Sequence, residues 1–221
     1  MNIASRLNRL KSDLPEGVRL VAVSKFHPES AIEEAYRAGH RIFGENRVQE
    51  LLSKYEHLPE DIEWHFIGHL QMNKVKFIVP FIHTIHSIDS VKLLAEVNKE
   101  AAKLNRRVNV LLQIHIAQEE HKFGFSFDEI EELLKNNAFS PFSNVVISGL
   151  MGMATFTDEK GQIRNEFRQL SEFFRKIKAA CFSTDASFRE LSMGMSDDYP
   201  LAIEEGSTII RVGSKIFGPR L

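Results

Sequence analysis

Apolar residues along this chain follow two habits in turn: short unbroken runs, and stripes at helical spacing between them. The first run, residues 20–25, holds four apolar residues and Ser24 and closes on Lys25. Further strand-like runs fall at residues 41–44, 64–68, 83–87, 108–114, 145–150, 188–192 and 208–212. Helices are predicted over 28–38, 45–55, 70–78, 89–104, 127–136, 161–180 and 197–205. Their ends carry the expected punctuation: Pro28 opens the first and Gly39 stops it, Asp89 caps another, and Gly206 ends the last. The longest has the clearest buried stripe, Ile163, Phe167, Leu170, Phe173, Phe174 and Ile177. Ahead of the first strand, Ile3, Leu7 and Leu10 predict a surface helix.

Eight strands alternating with helices, at about 28 residues per unit, imply parallel strands joined by helical crossovers. Eight such units predict a closed (β/α)8 barrel, a TIM barrel, as one domain over residues 1–221. An open doubly wound sheet is the alternative, but no Gly-x-Gly-x-x-Gly follows the first strand. Seven helices lie between the strands, so the N-terminal helix is expected to cover the remaining gap.

Charge and composition remove several function classes. A net charge of −2 with no long basic run gives no electrostatic case for nucleic acid. Cys181 is the single cysteine, which excludes an internal disulfide framework and suits a reducing compartment. No apolar run approaches the roughly 20 residues of a membrane span, and the N-terminus has no apolar signal core. A soluble cytoplasmic protein is expected.

In such a barrel the loops after the strands share one face, and chemistry collects there. Lys25 follows the first strand; a lysine in a partly dry mouth has its pKa drawn down and can form a Schiff base with an aldehyde. A lysine that simply reaches solvent is the plainer alternative. After the seventh and eighth strands come Ser196, ahead of a helix, and Gly213-Ser214, opening a short turn. Small residues there expose backbone N–H groups and predict a phosphate cradle that needs no cation, although Ser and Gly also cap and turn. Arg211 interrupts an apolar strand two residues before Gly213 and so shares its face. It points either at a ligand in the mouth or at an internal carboxylate. Lysine, cradle and arginine together describe a site for pyridoxal 5′-phosphate.

Longer motifs sharpen this. Val23-Ser24-Lys25, Phe43-Gly44-Glu45-Asn46, Trp64-His65-Phe66-Ile67-Gly68-His69-Leu70-Gln71, Gly149-Leu150-Met151, residues 191–197 and residues 211–218 resemble the pyridoxal phosphate homeostasis protein family. These are single-domain relatives of the alanine racemase N-terminal barrel. The resemblance runs from about residue 20 to 218 and implies a role for each matching position. Lys25 would hold the cofactor, and Ser196, Gly213 and Ser214 its phosphate. Arg211 would face the pyridine nitrogen, Asn46 would lie against the ring, and Ser192 would stand nearby. The family often has Thr where this chain has Ser214, and either keeps the hydroxyl. Lys122 also matches a family pattern, with no role that physics assigns.

An arginine at the pyridine nitrogen stays protonated, disfavours a pyridinium and weakens the cofactor as an electron sink. The two-domain racemases draw a second base, a tyrosine, from a C-terminal domain. The sequence ends at Leu221, so that domain is expected to be lacking, and Tyr36, Tyr55 and Tyr199 fall in helical stretches. The expected function is therefore binding, buffering and delivery of the cofactor in intracellular homeostasis, by a monomer, with dependent apo-enzymes as recipients. A cofactor-dependent amino-acid racemase or decarboxylase is the rival. No metal is expected: His83 and His86, three apart on a strand, should face opposite sides, and neither His65 with His69 nor His115 with His121 has zinc-site spacing. Met151, Met153, Met193 and Met195 are expected to pack, Glu131-Glu132 to be solvated, and Glu172 to pair with Lys176.

Overall fold

Each apolar run forms a strand, and each strand lies parallel to the next. The computed structural model describes residues 2–118 and 123–219. The strands are β1 Arg19–Val23, β2 Ile42–Glu45, β3 Glu63–Phe66, β4 Thr84–Ile88, β5 Val108–Ile114, β6 Val145–Gly152, β7 Glu190–Ser192 and β8 Ile209–Val212. They close in sequence order into a barrel, with β8 pairing back on β1. The helices are α1 Ile3–Ser12, α2 Glu29–Arg37, α3 Val48–His57, α4 Val75–Ile78, α5 Val91–Lys103, α6 Phe127–Lys135, α7 Lys160–Cys181, α8 Tyr199–Glu204 and α9 Ser214–Phe217. Among the described residues no helix is long and apolar enough to cross a membrane.

Alternation along the strands divides the interior into two cores. Leu20, Ala22, Phe43, Trp64, Phe66, Ile85 and Leu112 join the helices in one continuous apolar cluster. Val21, Leu111, Met151 and Ile209, also buried, lie outside that cluster and face the barrel axis. In-register pairs of a parallel sheet point to one side, so Val21↔Arg211, Gly44↔His65 and Met151↔Ser192 put His65, Ser192 and Arg211 on the axis as well. The axis is therefore half polar, and its polar groups lead to the site.

The N-terminal helix performs the predicted task. Asn2 caps α1 by accepting from Ser5 N–H, and Leu7 and Leu10 are buried where α1 packs between α2 and α9. Fully burying two such side chains contributes about 3–6 kcal/mol before the cost of ordering. The ring of helices is closed by this element.

Several boundaries differ from the sequence reading, each for a local reason. Strand β1 ends at Val23, so Ser24 and Lys25 stand beyond it in a turn. Glu45 belongs to β2 rather than to the following helix, because its carboxylate is buried against a lysine. Ser90, not Asp89, caps α5 by accepting from Leu93 N–H; Asp89 instead meets His69 Nδ1 at 2.9 Å. The 70–78 stretch is a 3-10 turn, Met72–Lys74, running into α4. Lys176 passes over its own helix to pair with Glu131 of α6. Met151 and Met193 are buried as expected, while Met195 is 38 % exposed. His121 and Lys122 lie outside the described residues.

Candidate functional site

Strand β8 pairs with both β1 and β7, which brings the segments that follow these strands to one end of the barrel. The turn after β1 carries Lys25, half-buried. Three buried or part-buried charges clamp its backbone. Lys54 Nζ donates to Ser24 O at 2.9 Å, to Glu45 Oε1 at 2.7 Å and to Glu50 Oε1 at 2.7 Å. Ser24 Oγ donates to Glu45 Oε1, also at 2.7 Å, and Phe26 N–H donates to Glu50 Oε1 at 2.6 Å. Phe26 takes φ 67, a left-handed conformation that costs a bulky residue energy unless its surroundings hold it. The clamp supplies that hold, directly before and after Lys25. Burial raises the Glu45 carboxyl, and Lys54 opposes the rise.

The loop after β7 and the start of α9 face this turn. Gly213 N–H donates to Ser196 Oγ at 3.3 Å, which joins two of the three expected cradle residues. A Cβ at Gly213 would stand 3.0 Å from Val23 O, so the chain passes the end of β1 closely and a side chain there would press on it. His27 stacks on Phe217 with centroids 5.1 Å apart, tying the lysine turn to α9. Ser214 is exposed at the first position of α9.

Arg211 lies below, 4 % exposed. Its Nη1 donates to Ser192 Oγ at 2.6 Å and its Nη2 to Gly152 O at 3.0 Å. The guanidinium thus ends on a hydroxyl and a carbonyl instead of an internal carboxylate. Burial draws its pKa down to about 10, which leaves it protonated at neutral pH. Asn46, after β2, keeps its Oδ1 buried with no partner. With Arg47, His69, Gln71 and Lys74 it lines a cavity of about 170 Å³. Gly68 makes that approach possible, because a Cβ there would overlap the Asn46 backbone. A larger cavity, about 580 Å³, lies elsewhere, between α5 and α6 beside Gly124 and Phe125.

Ser192 is the upper end of a polar row that sequence reasoning does not reach. Its Oγ lies 2.9 Å from His86 Nδ1, and His86 Nε2 lies 2.8 Å from His65 Nδ1. The first contact joins β4 to β7, which are not neighbours, so it crosses the barrel axis. His83 and His86 do not part to opposite sides as alternation predicts. Both rings lie against His65, at 5.3 and 5.0 Å, His83 reaching it from the position just before β4.

This row carries a pH prediction. Burial holds His65 and His86 well below the ordinary imidazole range, and draws His40 down to about 4. In the unfolded chain each binds a proton near about pH 6.5, so below that pH the unfolded state binds more protons than the folded one. Stability is expected to be full above about pH 6.5 and to fall on acidification toward about pH 4, by up to about 1.4 kcal/mol per pH unit for each histidine. Urea unfolding across that range measures it; a flat profile contradicts it.

The barrel and its mouth define the class of protein. The sequence matches the family described as "Alanine racemase, N-terminal domain" over residues 1–220. Alanine racemase of Clostridium difficile 630 superposes with a TM-score of 0.76 over 97% of this chain and 55% of its own, at 12% identity, a likeness of fold alone. At closer range, the pyridoxal phosphate homeostasis protein of Aquifex aeolicus is 37% identical, covering 100% of this chain and 99% of its own length. PipY of Synechococcus elongatus PCC7942, solved with PLP bound, superposes with a TM-score of 0.88 at 39% identity, over 98% of this chain and 100% of that one. The chain belongs to the pyridoxal phosphate homeostasis protein family.

Proposed function

We propose that the chain binds pyridoxal 5′-phosphate at the barrel mouth through a Schiff base on Lys25, and buffers or delivers it with little turnover of its own. The observation that carries the reading is the convergence of the clamped Lys25 turn, the Gly213–Ser196 pair and buried Arg211 at one end of the barrel. The relative PipY, solved with PLP bound, supports the choice of cofactor. The orphaned Asn46 Oδ1 and the Gly213 N–H beside Ser196 Oγ fit a polar ligand.

When bound, the cofactor supplies an aldehyde for amines and a ring that can accept electrons. The protein's own groups then divide the work. Gly213 N–H, the Ser196 and Ser214 hydroxyls and the first turn of α9 hold phosphate. Asn46 lies against the ring. Arg211 would donate to the pyridine nitrogen and, being protonated itself, would disfavour a proton on that nitrogen. Ser192, committed to Arg211 and His86, orients the guanidinium. That arrangement disfavours strong catalysis. A racemase would need a second base facing Lys25, and the tyrosines are engaged elsewhere: Tyr36 Oη donates to Asp61, Tyr55 stacks on Phe81, and Tyr199 lies under Lys215. In this reading a cytoplasmic monomer passes the cofactor to dependent apo-enzymes.

The test is to load the purified chain with pyridoxal phosphate, reduce it with borohydride and map the modified peptide. Label on Lys25 is expected. Label confined to Lys74 or Lys215, the other lysines near the mouth, overturns the assignment.

A further inference from the structure

At the barrel's N-terminal end, away from the proposed cofactor site, three side chains converge that the site does not use. Glu63 opens β3, His65 follows two residues later on the same side, and His83 immediately precedes β4. Strand pairing assembles them: His65 pairs with Thr84, so the neighbouring His83 comes alongside. One ligand-capable atom from each lies within 4.8 Å of the others. His83 Nε2 stands 3.7 Å from Glu63 Oε2, and the two imidazoles stack nearly parallel, at 4°.

Hydrogen bonding selects the atoms. His65 Nδ1 is taken by His86 Nε2 at 2.8 Å, and His83 Nδ1 by Thr84 Oγ1 at 2.8 Å. The remaining nitrogen of each ring is the Nε2. His65 is 1 % exposed, and its Nε2 is buried without a partner. A buried unpaired imidazole nitrogen is costly. Histidines that ligate metals commonly fix the other ring nitrogen in a hydrogen bond, as both do here. From this geometry we infer that Glu63, His65 and His83 form a binding site for a divalent cation of the zinc class.

Two imidazoles and a carboxylate are a donor set for zinc with a fourth position open to water. The exposed sides of Glu63 and His83, 42% and 39%, give the entry path. They also let these two side chains close the 4.8 Å spread onto a fixed His65. The cations nearby are engaged by other groups. Arg19 is paired with Glu190 at 2.9 Å, and Arg106 donates to the carbonyls of Val79 and Ile82. Ligation through His65 Nε2 requires its proton on Nδ1, donated to His86 Nε2. His86 must then donate from Nδ1 to Ser192 Oγ, so the cation sets the direction of the whole row.

The full chain, stripped with a chelator, would be titrated with Zn²⁺ against a chromophoric zinc indicator, and separately with Co²⁺ followed by its visible bands. Wild type, His83→Ala, Glu63→Gln and the surface control His57→Ala would be compared. Because the two test positions are part-exposed, these variants are expected to fold, and circular dichroism checks that they do. One zinc per chain is expected, weakened at least about tenfold in both test variants. The control should bind as wild type does. Absence of binding, unchanged affinity in His83→Ala and Glu63→Gln, or an equal loss in His57→Ala overturns the site. None of these readouts depends on pyridoxal phosphate, so the inference stands apart from the proposed function.

Discussion

Lys25→Ala is expected to remove the visible imine band of the pyridoxal phosphate-loaded protein completely while leaving the fold intact. The side chain is half-buried in a turn beyond β1, outside the apolar clusters, so its loss opens no core cavity. Bonds through Ser24 O, Ser24 Oγ and Phe26 N–H hold the turn on either side of residue 25. What goes is the amine that can form a Schiff base. The cradle groups Gly213 and Ser196 remain, so the variant should still take up the cofactor non-covalently and lose it on gel filtration. The free variant should still fold, as circular dichroism checks. A band that persists in the variant would mean that another lysine is the anchor.

The legible parts of this protein are those written locally. Runs such as Val108–Ile114 declare a strand in a few residues, and the alternation of runs and stripes declares the barrel. Parity alone places Arg211 and Gly213 on one face. Lys25 reads as a strand-end residue because a lysine closing an apolar run can leave the packed layer only there. The parts that are not legible depend on pairing at a distance. The Ser192–His86 contact spans 106 residues and crosses the axis, and nothing near either residue announces it. His65 and His83 are assembled by β3–β4 pairing, which spacing along the chain cannot show. Glu45 and Lys54 are hidden by their own types. Glu favours helices, so Glu45 reads as the start of the next one, and a lysine beside Leu51 on a helix face reads as a solvated edge. One signal does exist: Lys54 lies three residues after Leu51 and four before Leu58, squarely on the buried stripe.

Lys54→Met should destabilise the fold far more than Lys25→Ala. Lys54 is 4 % exposed, and Glu45, its partner at 2.7 Å, is wholly buried. Removing the ammonium strands a carboxylate whose Oε2 already lacks a partner. Breaking a buried pair from one side costs about 3–5 kcal/mol, because the remaining charge must be desolvated alone or take a proton. Stability of the variant should therefore improve on mild acidification, as Glu45 protonates, against the downward trend set by the buried histidines. The double variant Glu45→Gln/Lys54→Met removes the stranded charge and should recover most of the loss, since neutral replacements of a buried pair are often close to neutral overall. It should not recover cofactor affinity. The turn at Ser24–Phe26 still lacks the charge-assisted bond from Lys54, worth about 1.5–3 kcal/mol, so pyridoxal phosphate should bind at least about tenfold more weakly in both variants. Denaturant melts and cofactor titrations on the single and double variants separate the two effects. Equal recovery of stability and affinity in the double variant would show that Lys54 only neutralises Glu45 and does not position the lysine turn.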